Sequence, residues 1–529
     1  SVTESPTGVR AAEFAVTLSS AWSTAVSVRY RVEGISALAG EDFDQIEGVL
    51  IIPAGSLSGT ISVNVRGDLR NEGPETFRVV MLEPTECTID VSEAVCTIED
   101  LNVREVAFGG KVKGAYTDQA GKAVTVSLSG GTGVLVYLGE SQTPFAIRVD
   151  ASTPNSALGV ASKTPTSLGL IQSRTPLKSV TAKGVTFTSG LDLSGGCGAV
   201  TFADLSDGAR LDLGRWGKSK VTAGALRGGR VFSDADSLAL QAASWVGEGG
   251  ALTARAIDSL KVLGDCSADL FASAGAKSVS VSGAWRDAEI RMRGNVGTVT
   301  AGSLRAIDLA IAGVVKTLKA GDTTNSQINL WNSGTTSLTL GRVTDSDVRS
   351  NNEIKALSVV SWVGAGASDR VLAPSIKSVV SKGDFGASLG VAGRIGTVKI
   401  AGALRDAVWR IGDGIGTLAA ARLIGTRVFA GAATYVSSLP ETPQALPSTS
   451  AFITTLSITS GIADSLVSAP LIGTAKIGRV DATGAGISGR TIKSIKATGA
   501  GGETISATSL LRPDQSFDSG LLRVRVIAG

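Results

Sequence analysis

The sequence predicts an all-β chain, an N-terminal antiparallel β-sandwich followed by a long parallel β-solenoid. Three observations carry that prediction: short runs of alternating apolar and polar residues over the first hundred positions, a segment that recurs about every 20 residues from position 176, and no helical-period stretch in any repeat unit. The chain has 529 residues, 66 of them Gly and only 14 Pro, with 43% hydrophobic residues and no histidine. That is too long for one ordinary domain and apolar enough to bury a large core. The missing imidazole excludes histidine-based triads, histidine-ligated zinc and the usual near-neutral proton shuttle.

A net charge of +3 hides a split. Residues 1–101 hold sixteen acids against six arginines and no lysine, a net −10, which leaves 44 basic and 31 acidic residues, or +13, for 102–529. This marks a boundary near Leu101 between an acidic and a basic module. The overall charge is too small for a nucleic-acid partner, and no run of roughly 18 to 20 apolar residues offers a membrane span. The chain opens at Ser1 without a basic and apolar leader, as expected once a signal peptide has been removed from a secreted or cell-surface protein.

Within the acidic module, runs such as Glu13-Phe14-Ala15-Val16-Thr17-Leu18 and Val26-Ser27-Val28-Arg29-Tyr30 recur between Gly, Pro and Ser punctuation and read as strands of a sandwich. FAVTLS from Phe14, VSVRY from Val26, AGEDF from Ala39, GVL from Gly48, DLRNEGPETF from Asp68 and TIED from Thr97 follow one another in the order of Calx-beta domains. The segment resembles that family over about a hundred residues. The resemblance implies calcium held by loop carboxylates at one end of the sandwich, at Glu4, Asp42, Asp68, Glu72 and Asp100, since calcium takes hard oxygen ligands. The sequence departs from the pattern where IEDLN offers only Glu99 and Asp100 in place of a longer aspartate run. The other reading of these acids is that they solvate loop tips.

The resemblance also implies an opening strand several residues longer than Ser1-Val2-Thr3. An uncovered sandwich edge recruits strands, and Leu521 to Ile527, with two arginines among β-formers, is one candidate donor. The alternative is that this tail closes its own domain. Cys87 and Cys96, nine residues apart around a turn-like segment, suit a cross-hairpin disulfide, whereas Cys197 and Cys266 read as small buried hydrophobes.

In the repeat, an apolar anchor follows Ser or Thr and precedes a small or apolar residue two places on. Anchors fall at Val180, Val200, Val221, Leu238, Leu260, Val279, Val299, Leu318, Leu338, Leu357, Val379, Val398, Leu418, Leu456, Ala475 and Ile495. The one gap of 38, from Leu418 to Leu456, reads as two periods. Two short strand-like runs and glycine-rich corners per unit describe a β-solenoid, in which each coil buries its inward residues against its neighbours. About sixteen coils at the ~4.8 Å strand spacing would span on the order of 75 to 90 Å. Residues 102–175 are less regular and read as first coils or a cap, 176–510 as the solenoid, and 511–529 as a terminal strand or tail. The Pro-bearing stretch from Ser437 to Ser450 is expected to project as a loop.

No catalytic residue is expected, and the chain is read as no enzyme. The acid pairs Asp234 with Asp236, Asp287 with Glu289 and Asp345 with Asp347 do not gather into a dense site and read as solvated outer-face residues. Lysines recur two places before the anchor, at Lys178, Lys277, Lys316, Lys355, Lys377 and Lys493. They are expected at coil corners, with Lys316, Lys355 and Lys377 in consecutive units forming a basic ridge. Trp245, Trp285, Trp331, Trp362 and Trp409 are spread singly, which suits packing rather than a stacking platform. These readings converge on an extracellular structural protein of the kind found on bacterial surfaces, a subunit of a filament, sheath or S-layer-like lattice. Such a subunit associates head to tail with its own kind, with calcium at the acidic module. The alternative is a surface protein that binds or cleaves an anionic polysaccharide.

Overall fold

The computed structural model describes residues 1–331, 334–364, 369–481 and 483–528, and among them no α-helix occurs. The chain divides into two compact units, one of Ser1–Thr175 with Phe187–Leu191 and one of Pro176–Thr186 with Asp192–Gly529.

The first unit opens with seven strands, β1 (Val2–Thr3), β2 (Val9–Thr17), β3 (Val26–Gly34), β4 (Glu47–Ile52), β5 (Ser58–Arg66), β6 (Glu75–Leu82) and β7 (Glu93–Glu99). They pack as a five-stranded sheet in the order β1-β7-β6-β3-β4 against the pair β2-β5. Alternation decides which face each strand buries: in β5, Ile61, Val63 and Val65 point inward while their neighbours face solvent. Phe43 and Phe77 stack at the centre of this core, with centroids 4.9 Å apart. The cysteines of the hairpin β6-β7 are free. Cys96 sits opposite Phe77, three residues beyond the first ladder pair at Val80 and Glu93, and Cys87 is out in the connecting loop, so the expected disulfide does not form.

Seven more strands complete this unit: β8 (Val103–Gly109), β9 (Gly114–Thr117), β10 (Ala123–Ser129), β11 (Thr132–Leu138), β12 (Ala146–Ala151), β13 (Ala157–Ser162) and β14 (Thr166–Ser173). Among the described pairings β8 with β11, β9 with β10, β10 with β13 and β11 with β12 run antiparallel, and β12 with β14 runs parallel. Residues 103–162 are therefore a second antiparallel module rather than first coils.

The second unit is a parallel β-solenoid, part of a region of about 17 turns. From Val200 onward the anchors stack coil upon coil, through Val221, Leu240, Leu260, Val279, Val299 and Leu318 to Ile495. Two expectations change here. Leu240, not Leu238, is the anchor of its coil, because Val221 pairs with Leu240 and Ser219 with Leu238. The gap of 38 is a single coil with an insertion, since Leu418 pairs directly with Leu456. That insertion does not project. Val436, Leu439 and Leu446 are buried, Arg410 and Arg490 donate to the carbonyls of Val436 and Leu446 at 2.8 and 3.0 Å, and the loop folds back over its own coils.

A second inward column, further along each coil, runs through Leu226, Trp245, Cys266, Trp285 and Leu304. Cys266 is the small residue between two indoles, which accounts for a buried thiol in terms of volume. Trp245, Trp285, Trp362 and Trp409 are fully buried, and Trp331 is 50% exposed. A third column puts polar groups inside: Ser326, Ser346, Thr426 and Ser465 each donate a hydroxyl to the carbonyl two residues back. The same oxygens accept the N–H of Ile307, Ser326 or Thr426 from a neighbouring coil where three of them face one. Buried backbone donors are satisfied in this way at a corner where the ladder breaks.

The C-terminal strand Leu522–Val526 pairs in parallel with Ala485–Gly489 and continues the inward column of Ile487 with Val524. It serves as a last rung of its own solenoid. Burial of Val524 and Val526 holds it there, the arrangement in which the tail closes its own domain.

Candidate functional site

One end of the sandwich gathers acids from four loops. Backbone pairing of β1 with β7 continues as the Glu4 N–H donates to the Glu99 carbonyl at 3.0 Å, which brings Glu4 to Asp100. Asp42 precedes the core residue Phe43, is 8% exposed, and accepts the Leu38 N–H on Oδ2. Asp68 caps its own turn, with Oδ1 accepting the Arg70 N–H at 2.7 Å. Asp100 Oδ2 accepts the N–H groups of Glu72 and Gly73, both at 2.7 Å, and so draws the loop 67–74 onto the end of β7. Gly67 permits that closure, because a Cβ there would collide with the Ser5 carbonyl.

All five expected positions act on one another. Burial, then the charges of Asp68, Asp100, Asp42 and Glu72, push the Glu4 carboxyl up to about 7. Burial and the charges of Asp68 and Asp42 raise Glu72 as well. A sixth member, Glu75, was missed: burial and its hydrogen bond to Asp42 push it up to about 7. Its signal was present in the sequence, as the remaining acid of DLRNEGPETF. Arg70 stands beside the cluster, its guanidinium 3.9 Å from both Asp68 and Glu72.

Oxygen donors alone, crowded enough to hold protons near neutrality, fit a hard divalent cation. Among the described residues no group of three such side chains is arranged to hold a metal ion.

The loop that carries Asp68 and Glu72 is also fixed on its far side. Leu69, between them, is 1% exposed and packs with Val103, Val134 and Val136 of the second module and with Leu170 of β14. Arg148 donates to the Leu69 carbonyl at 2.6 Å and pairs with Glu105 and Asp150, each at 2.8 Å.

The Calx-beta domain family model matches residues 2–102. This segment is a Calx-beta domain. Solved structures similar to it include the apo-form Calx CBD1 domain, 28% identical over 19% of this chain and 87% of that one, at a TM-score of 0.17. The Calx CBD2 domain is 15% identical over 19% and 81%, also at 0.17. The calcium-binding domain CBD12 of CALX1.1 is 22% identical over 25% and 65%, at 0.18. No curated protein sequence matches the chain.

Beyond the Calx-beta domain, the solenoid acids singled out above are taken up by corners and ion pairs. Asp287 and Asp345 occupy corners with φ of 52° and 49°. Asp236 pairs with Arg255, Glu289 with Arg291, and Asp347 with Arg349 and Arg370. The corner lysines are exposed because positions −3 and 0 relative to the anchor both point inward, which leaves two outward residues between them, as in Ile376-Lys377-Ser378-Val379. Their ridge is interrupted: the coil of Leu338 lies between those of Lys316 and Lys355 and places buried Thr336 near that corner, so these two lysines are not in consecutive coils.

Proposed function

We propose that this chain is an extracellular structural subunit that assembles with copies of itself. The acidic Calx-beta domain of one subunit meets the basic solenoid of the next, with calcium as the organiser of the acidic end. The observation that carries this reading is the cluster of Glu4, Asp42, Asp68, Glu72, Glu75 and Asp100, which stores repulsion that a divalent cation would relieve. Calcium, when bound, supplies positive charge to hard oxygen ligands. These six side chains would hold it. Leu69 and Arg148 couple their loop to the second module, so closure around an ion would brace that junction. Opposite net charges, −10 for residues 1–101 and +13 for residues 102–529, favour this contact. A contact between unlike surfaces repeats into a filament or lattice unless its rotation closes a ring.

Calcium titration of the whole chain by calorimetry tests the organiser. Saturable binding that Asp68→Asn weakens at least tenfold is expected, and an absence of binding at millimolar calcium would overturn it. A second reading, retention of an anionic polysaccharide, is favoured by a groove on the solenoid.

A further inference from the structure

On the outer face of the solenoid, six coils form a groove of about 800 Å³. One wall is the outward column Phe232, Thr253, Phe271, Arg291 and Ala310, each paired with the next along the stack. The adjoining corner row contains Arg255, Ser273, Arg293, Ala312 and Trp331. Backbone bonds hold this row coil to coil: Arg293 to Ala272 at 3.0 Å, Ala312 to Met292 at 2.8 Å and Trp331 to Ile311 at 2.9 Å. Ala310 and Ala312 are the small residues between the arginine pair and the tryptophan. They leave a trough roughly 10 Å long, two coil spacings, from Arg293 to Trp331.

We infer that this groove binds an acidic polysaccharide, with carboxylate-bearing sugar rings running along the stack. Trp331 is the one of the solenoid's large aromatic side chains singled out above that is left half in solvent, and its indole supplies a flat apolar face for a ring. Three arginines against the single lining acid Asp234 give the groove a positive balance suited to carboxylates. Arg255 and Arg291 are partly satisfied by Asp236, Glu289 and Asp308, whereas the exposed Arg293 guanidinium makes no ion pair among the described residues. A peptide is disfavoured because the N–H and C=O groups of these strands are used between coils, which leaves no edge to extend. A polymer with its own hydroxyl and carboxylate groups instead meets side chains repeated at the coil spacing. The inference goes beyond self-assembly and does not depend on it.

The test is calorimetry and tryptophan fluorescence on the full chain with a galacturonate hexamer, an uncharged hexasaccharide and hexaglutamate. The uronate should bind and perturb the fluorescence. Trp331→Ala should lose at least tenfold in affinity together with most of the fluorescence change, and Arg293→Ala should lose several-fold. Both residues are exposed, so the thermal midpoints of the variants should match the parent and separate lost binding from lost fold. No binding of the uronate, equal binding of the uncharged sugar, or affinity unchanged in both variants would overturn the inference. Hexaglutamate binding as tightly as the uronate, independent of Trp331, would also overturn it and assign the groove to acidic polypeptides.

Discussion

At the scale of single residues, side-chain chemistry is set by where the backbone must turn. One corner of the solenoid needs a left-handed residue, and Asp287, Ala306, Asn325, Asp345, Asp406, Gly425 and Asp464 supply it with φ between 41° and 59°. Acids considered for catalysis thus have a conformational reason to be Asp, which tolerates this region better than bulky residues do. Asp406→Val should cost about 1 to 2 kcal/mol in denaturant unfolding and Asp406→Gly a few tenths at most. In the Calx-beta domain the same scale sets a pH response. Glu4 and Glu75 sit near 7 in the fold, above the ordinary 4.5, so the folded state holds their protons more tightly. Their contribution to stability is full below about pH 4.5 and lost as pH rises through about 7. With a chelator present, the thermal midpoint of the parent should therefore fall more between pH 5 and 8 than that of Glu75→Gln. Calcium should reverse the trend by favouring the ionised forms.

Among elements, the strands and their inward columns were legible because burial imposes a period of two within a strand and about 20 between coils. The acidic end was legible through the resemblance to Calx-beta domains, which implied Glu4, Asp42, Asp68, Glu72 and Asp100 at one end of the sandwich. What escaped were features set by pairing rather than pattern. Leu238 and Leu240 are both buried, and only the register with Val221 shows which is the anchor. The 38-residue gap equals two periods by count, yet Leu418 meets Leu456 directly, and the Pro-rich stretch is held down by Leu439, Leu446 and two arginines that no local rule brings together. The tail was legible as a strand but not as a last rung, a role that needs Ala485–Gly489 beside it. Deleting residues 511–529 should expose that edge. Faster hydrogen exchange is expected from Ala485 to Gly489, with the coils around Val299 unchanged.

For the molecule as a whole, charge is segregated along the sequence: an acidic Calx-beta domain, net −10 over residues 1–101, precedes a basic remainder, net +13 over 102–529. Segregated charge favours contacts between unlike surfaces of different copies over contacts between like ones. Screening follows directly, because at about 0.5 M salt the Debye length is only a few ångströms and attraction between exposed charges largely disappears. The most direct measurement is sedimentation of the full chain at low ionic strength, in calcium and then in chelator, with electron microscopy of the same samples. Large assemblies in calcium that dissociate in chelator or in about 0.5 M salt are the predicted result. A chain that sediments as a monomer under every one of these conditions would contradict self-assembly.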